Sequence, residues 1–372
     1  MPKKSYRVSY IEGDGIGPEI FASARSVLSV LGETCGLDFD WIAAPAGDRV
    51  KRELGTALPQ DSIELIKQSE VCLKAPVGET ALETIIFLRQ ELNLFANIRP
   101  AKSYPFVESK YSNVDLVIVR ENTEDLYVSK EHEELEGKRA VALKITTEEA
   151  STRIAKVAFE LALERRAARS PEERASKNAS VVCVQKSNVL PKTDGLFLRS
   201  CESVSREFPS VKFSSMYVDT AAMNLVRIPE NFDVIVTSNM YGDILSDEAS
   251  QIVGGLGVAA SGNIGSKFAI FEPVHGCAPD IAGKGIANPL SILFTVRMML
   301  DWLGSEKKDD GCIRASSLLE HAVSAVTGSN IKTPDIGGSS GTKDVTRAIC
   351  SEIRNASNAD RYKETVEMKR RA

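Results

Sequence analysis

Histidine is scarce in this 372-residue chain: only His132, His275 and His321 occur. A histidine-built zinc site is hard to assemble from so few, and any metal is expected to be bound by oxygen. The seven cysteines (35, 72, 183, 201, 277, 312 and 350) form no C-x-x-C pair. Their odd number argues against a closed disulfide framework and favours the reduced cytoplasm. No apolar run approaches bilayer length, and the start MPKKSYRVSYIEGDGIG meets acidic and glycine residues before any signal-peptide core, so a targeting segment or membrane anchor is not expected. The formal charge of -5 is scattered and lacks a basic stripe, which disfavours nucleic acid and anionic membranes and leaves small molecules as partners. A Walker A lysine motif, a G-x-S-x-G elbow and H-E-x-x-H are all missing. EGDGIG follows a strand-like run, yet Gly13, Gly15, Gly17 and Pro18 do not have G-x-G-x-x-G spacing. GGLGVAA fits the looser form from Gly255 to Ala260 without a six-residue strand directly ahead of it, and reads as a hinge or helix-loop element.

Strand-like runs are plentiful: YRVSYI, FDWIAA, EVCLKAP, VDLVIVR, VALKIT, ASVVCVQ, VKFSSMYVD, FDVIVTSN and KFAIFEP. Helical patterns such as PEIFASARSVLSVLGETCG, EEASTRIAKVAFELALERRAARS and DGLFLRSCESVSREF lie between several of them, and this alternation predicts an α/β fold. Pro18 suits a helix start, and SPEERASKN reads as a polar surface insertion. Boundaries near NIRPAKSYP (97–105) and in GGLGVAASGNIG (254–265) predict two domains, 1–98 with 256–372 and 99–255, with a cleft between them.

The chemistry concentrates in acids and arginines. Asp243 and Asp247 in YGDILSDEAS stand four residues apart, hence stacked on one helix face near its start. Alone, such a pair is ordinary charge placement at a helix N-terminus. On a dry face two carboxylates repel unless a cation lies between them, and Mg²⁺ or Mn²⁺ suits oxygen ligands of this kind. Asp219, ending another strand-like run, is a candidate to complete the site. Arg89, Arg99 and Arg120 are each unremarkable singly; together they suggest a clamp, because a planar guanidinium matches a carboxylate in bidentate fashion. Tyr127 and Lys186 supply acid and base candidates, although a half-buried aromatic and a solvated lysine are the plainer readings of each in isolation. A metal beside an anion clamp implies a hydroxy acid substrate.

NMYGDILSDEASQIVGGLGVAASGNIG followed by EPVHGCAPDIAGKGIANP resembles the signature of the isocitrate/isopropylmalate dehydrogenase family. The resemblance runs nearly end to end, from GDGIGPEI through LRQELNLFANIRPAKS and VRENTEDLY to KTPDIGG. It implies a two-domain isopropylmalate dehydrogenase-like fold distinct from the Rossmann fold. It also implies a cofactor, NAD or NADP, and a divalent cation that together serve to oxidise and decarboxylate a 3-substituted malate. By resemblance, Arg89, Arg99 and Arg120 clamp the malate core, Asp219, Asp243 and Asp247 hold the metal, Lys186 deprotonates the C2 hydroxyl, Tyr127 protonates the enolate, and Asn188 orients substrate or nicotinamide. Lys186 and Asp219 are then supplied by the second subunit of a homodimer. The loop with His275, Gly276, Ala278, Asp280, Ile281 and Asn288 is implied to bind the cofactor; an acid at Asp280 suits a ribose 2′-OH and repels a 2′-phosphate, pointing to NAD.

The C3 substituent is sensed, on this resemblance, by the helix leading to Arg89. Isocitrate enzymes place serine and asparagine where this chain has Glu83 and Ile85. Ile85 and Ile86 suit an apolar group whose burial contributes about 1.5 to 3 kcal/mol, which favours 3-isopropylmalate. RENTEDLYV and KSNVLPKTDGLF resemble homoisocitrate enzymes as well, so homoisocitrate is the second reading and D-malate the third. A non-catalytic regulatory subunit would be expected to lose part of the Tyr127, Lys186 and triple-aspartate set, and all five residues are present.

Overall fold

The computed structural model of the protein describes residues 3–105 and 107–371, and their side chains except at 173, 175, 176 and 359–371. Among these residues the strands are β1 (Lys4–Ile11), β2 (Leu37–Ala43), β3 (Val71–Lys74), β4 (Ala96–Lys102), β5 (Asp115–Glu121), β6 (Glu131–Glu134), β7 (Arg139–Ala142), β8 (Ser180–Gln185), β9 (Lys212–Tyr217), β10 (Val234–Thr237), β11 (Ala260–Ile264) and β12 (Ala269–Pro273). Ten of them form one sheet in the order β2-β1-β3-β12-β11-β4-β5-β10-β8-β9, and β6 and β7 form a separate hairpin. Runs such as VIVT in β10 and VVCV within β8 are rich in β-branched residues and buried throughout, as parallel strands covered by helices on both faces should be.

The sheet is parallel at both ends and antiparallel in the middle. β2, β1, β3 and β12 run parallel, as do β5, β10, β8 and β9; β11 and β4 join the two sets through antiparallel pairing. An all-parallel Rossmann sheet lacks such a joint. Around the first set, one apolar cluster includes Ile20, Leu28, Leu293 and Leu319, and another includes Ile63, Leu88 and Ile270. Around the second set, Phe159 and Phe197 lie in one cluster and Leu225 and Leu245 in another.

Both stretches read as domain boundaries hold strand residues: β4 runs on into NIRPAKSYP, and β11 lies within GGLGVAASGNIG. A proline argues against a strand with neighbours on both sides. Pro100 lies beyond Ile98, the last β4 residue paired with β11, so the strand there is paired with β5 alone. VALKIT is strand only as far as Ala142, where the hairpin ends. The helices read at 18–36, 148–170 and 194–208 are found at Gly17–Cys35, Glu148–Ala168 and Thr193–Ser205. SPEERASKN holds the short helix Pro171–Ser176.

EGDGIG serves as a backbone joint. Gly15 has φ +57°, and a Cβ there would meet the Cys277 carbonyl oxygen at 2.0 Å. Ile16 donates to that carbonyl at 2.8 Å, so the turn is locked against the 274–280 loop.

Candidate active site

β5 and β10 are parallel neighbours, and the helix Asn239–Ile252 starts one residue past the C-terminal end of β10. In open α/β sheets this is where ligands bind. Arg120, near the end of β5, is 1% exposed. It donates from Nε and Nη2 to Asn239 Oδ1 at 2.9 and 2.7 Å, and from Nη1 to Asp243. Gly242 makes this approach possible: a Cβ at that position would lie 2.6 Å from Arg120 Cγ. Tyr127 donates its hydroxyl proton to Asp243 Oδ2 at 2.6 Å, and its ring lies 5.0 Å from the Arg120 guanidinium. Burial, followed by the bond to the Asp243 carboxylate, raises the Tyr127 pKa, so the phenol keeps its proton at neutral pH.

Asp243 and Asp247 share the Arg99 Nη1, at 3.2 and 3.3 Å. Their affinities for protons diverge. Burial acts to raise both, but Arg120 and Arg99 overcome it at Asp243 and hold that carboxyl below its usual range; Asp247, opposed by Arg99 and facing Asp243, ends above it. This is the electrostatic state of a carboxylate pair that would gain from a neighbouring cation.

Arg89 and Arg99 are joined by a buried polar chain that sequence reasoning missed. Arg89 donates to Glu272 Oε1 at 3.2 Å, and Lys74 to Glu272 Oε2 at 2.7 Å. Asn263 donates to Glu272 Oε1 at 2.9 Å and accepts from Asn97 at 2.9 Å, while Arg99 Nε donates to Asn97 Oδ1 at 2.6 Å. Asn97 on β4 and Asn263 on β11 are direct cross-strand partners, so the antiparallel joint of the sheet sets the spacing of two arginines. Burial works to raise the Glu272 pKa, yet the Lys74 ammonium and Arg89 guanidinium bring it down to about 2. The available signal was a charged residue near the buried C-terminal end of a strand: Lys74 in VCLK and Glu272 in AIFEP.

Lys74, Arg89, Arg99, Glu272, His275 and Ile85 are among the residues that line one cavity of about 180 Å³. Ile85 also belongs to the apolar cluster of Ile63 and Leu88, and Ile86 packs against it. Glu83 is half exposed and paired with Lys51 at 2.5 Å. The segment Leu82–Ile86 is a π-turn leading into Phe87–Glu91, an irregularity common at functional sites.

Lys186 and Asp219 form a unit of their own, with Nζ and Oδ1 2.6 Å apart, and Asn188 is exposed on the same loop as Lys186. Among the described residues, no three histidine, cysteine, aspartate or glutamate side chains of one chain gather as a metal-holding group. One chain thus brings together Arg89, Arg99, Arg120, Tyr127, Asp243 and Asp247, and pairs Lys186 with Asp219 outside that set of contacts.

On the loop after β12, His275 Nδ1 lies 2.9 Å from the Gly276 carbonyl, and burial lowers the imidazole pKa, favouring the neutral ring. Ala278 has φ +39°, Ala278 and Ile281 lean on the adjoining core, and Asp280 is exposed. Asn288 accepts from Leu290 N at 2.9 Å and donates to Asp335 of the KTPDIGG stretch at 2.8 Å.

A mixed sheet with an antiparallel centre that sets buried arginines against paired carboxylates defines an α/β protein with a strongly charged candidate active site. Residues 7–353 match the isocitrate/isopropylmalate dehydrogenase family; the chain belongs to it and is an oxidatively decarboxylating dehydrogenase. It is 49% identical to the 3-isopropylmalate dehydrogenase of Sulfurisphaera tokodaii over 94% of this chain and 99% of that protein. It is 41% identical to the homoisocitrate dehydrogenase of Methanocaldococcus jannaschii over 94% and 98%. The crystal structure of isocitrate dehydrogenase from Methylococcus capsulatus is similar to it with a TM-score of 0.83 and 37% identity, over 94% of this chain and 99% of that one.

Proposed function

We propose that the chain oxidises and decarboxylates (2R,3S)-3-isopropylmalate with NAD and Mg²⁺ or Mn²⁺, as a homodimer that shares its active sites. The observation that carries the substrate is Ile85, buried in the same cavity as Arg89 and Arg99: an apolar wall beside an anion clamp matches a branched alkyl group on a dicarboxylate. The chain would comprise a cofactor-binding domain, 1–98 with 256–372, and a domain at 99–255 that carries the dimer contacts.

Arg89, Arg99 and Arg120 hold the two carboxylates of the acid. Lys186, with Asp219, arrives from the other copy and takes the C2 hydroxyl proton as hydride leaves C2. The C3 carboxylate then departs as CO₂, and Tyr127, which keeps its proton at neutral pH, delivers it to C3. The oxygen-only donor set of Asp243, Asp247 and the other copy's Asp219 fits a hard divalent cation, which when bound supplies Lewis-acid polarisation of the C2 oxygen. Asp280, exposed on the cofactor loop, favours a free ribose 2′-OH over a phosphate, and NAD when bound accepts the hydride. The split of the catalytic set within one chain supports sharing, as do exposed Met223, Val226 and Ile244 on the neighbouring helices Val218–Arg227 and Asn239–Ile252.

Homoisocitrate is the second reading, favoured by Lys51, a cation at the head of the Ile85 segment for a distal carboxylate. The test is NADH formation by purified protein with each divalent cation across 3-isopropylmalate, homoisocitrate, isocitrate and D-malate, with NADP as the competing cofactor. Fastest turnover of 3-isopropylmalate with NAD, abolished by chelation, is the expected result. Preference for homoisocitrate overturns the substrate, and turnover that survives chelation overturns the metal.

A further inference from the structure

Lys144, two residues beyond the end of β7, lies between two carboxylates that are almost wholly buried. Its ammonium is 2.8 Å from Asp194 Oδ1 and 3.4 Å from Asp125 Oδ1, and stands 4.5 Å from the centre of the Tyr241 ring. Each carboxylate also holds backbone at the site. Asp125 accepts from Leu126 N at 2.9 Å, in the turn that carries Tyr127, and from Met240 N at 3.0 Å, in the first turn of the helix that carries Asp243 and Asp247. Asp194 accepts from Lys186 N at 2.7 Å. Asp125 does this with φ +70°, a conformation that a non-glycine residue keeps only when its surroundings enforce it.

We propose that Lys144 is a positioning residue for catalysis: one ammonium bridges the two carboxylates that between them fix the backbone beneath Tyr127, Lys186 and the Asp243 helix. Without that charge the two buried acids face each other uncompensated, and they relax by shifting, by admitting water or by taking up a proton. Any of these loosens all three amide anchors together. The catalytic role rests on the functions assigned above to Tyr127 and Lys186; on the shared-site arrangement these two groups serve different clefts, so Lys144 ties one cleft to the other.

The test compares Lys144→Met and Lys144→Arg with the parent chain by peptide-resolved hydrogen exchange and by steady-state kinetics. In Lys144→Met, peptides covering Leu126, Lys186 and Met240 are expected to exchange at least about tenfold faster, with β5, β8 and β10 unchanged. The value of kcat should fall about 100-fold, the scale of a small misplacement of reacting groups, while KM for the acid changes less than about threefold. Lys144→Arg, which keeps the charge, should recover most of both. Unchanged exchange in the three peptides overturns the proposal, as does faster exchange spread evenly over the sheet without rescue by arginine. If Lys144→Met fails to fold, Lys144→Gln is read against the same criteria. The exchange result needs no substrate, so a parent chain inactive on every acid would refute the assigned function and still leave the anchoring role decided.

Discussion

Glu272 is a buried carboxylate with Lys74, Arg89 and Asn263 around it, and its worth depends on its charge. Its folded pKa of about 2 lies below the ordinary 4.5, so its stabilising contribution is complete above about pH 4.5 and drains away as pH falls toward 2. Glu272→Gln leaves two cations buried without their counter-charge and should cost about 3 to 5 kcal/mol at pH 7. Urea unfolding of parent and variant should show that gap constant from pH 7 to 5 and narrowing below 4.5; a gap that widens on acidification would contradict the assignment. Residues of this kind were the least legible in the sequence. Asp243, Asp247 and the three arginines announce themselves through long motifs, whereas Lys74, Glu272, Lys144 and Asp194 are single charges whose partners lie up to 198 residues away. The default for a lone charge is solvent, and only three-dimensional packing removes these from it.

At the scale of elements, alternation of apolar strands with amphipathic helices located both parallel sets of strands, because buried parallel strands carry continuous apolar runs. It did not locate β4 and β11, where Pro100, Asn97 and Asn263 interrupt the pattern; these two strands link the halves and carry the polar chain that aligns the arginines. The hairpin β6–β7 was read only in part, through the start of VALKIT, since its residues are mostly exposed. It displays Leu135, and Leu143 follows it, both exposed apolar side chains on a ribbon too small to stand alone. Under the proposed pairing of copies, replacing residues 131–142 with a short glycine linker should weaken it. Sedimentation velocity at matched concentration is expected to show more monomer, and a variant that sediments like the parent would remove the hairpin from the interface.

For the whole molecule, the decisive arrangement is that Tyr127 is bonded to Asp243 and Lys186 to Asp219, with no hydrogen bond joining the two pairs. Tyr127→Phe and Lys186→Met should each be inactive as pure proteins. Mixed, unfolded and refolded together in equal amounts, they should recover about a quarter of parental turnover, because half the dimers pair one copy of each and every such dimer holds a single intact site. Recovery of nothing, with mixed dimers demonstrated by mass spectrometry, would place both residues in one cleft of one chain.

The proposed sharing of Lys186 between two copies also makes abundance a variable of the chemistry. An enzyme that borrows its base from a twin works only above the concentration at which twins find one another. On dilution its rate per chain sinks before any chain unfolds, so a cell producing too little of it would be left with intact molecules and no flux.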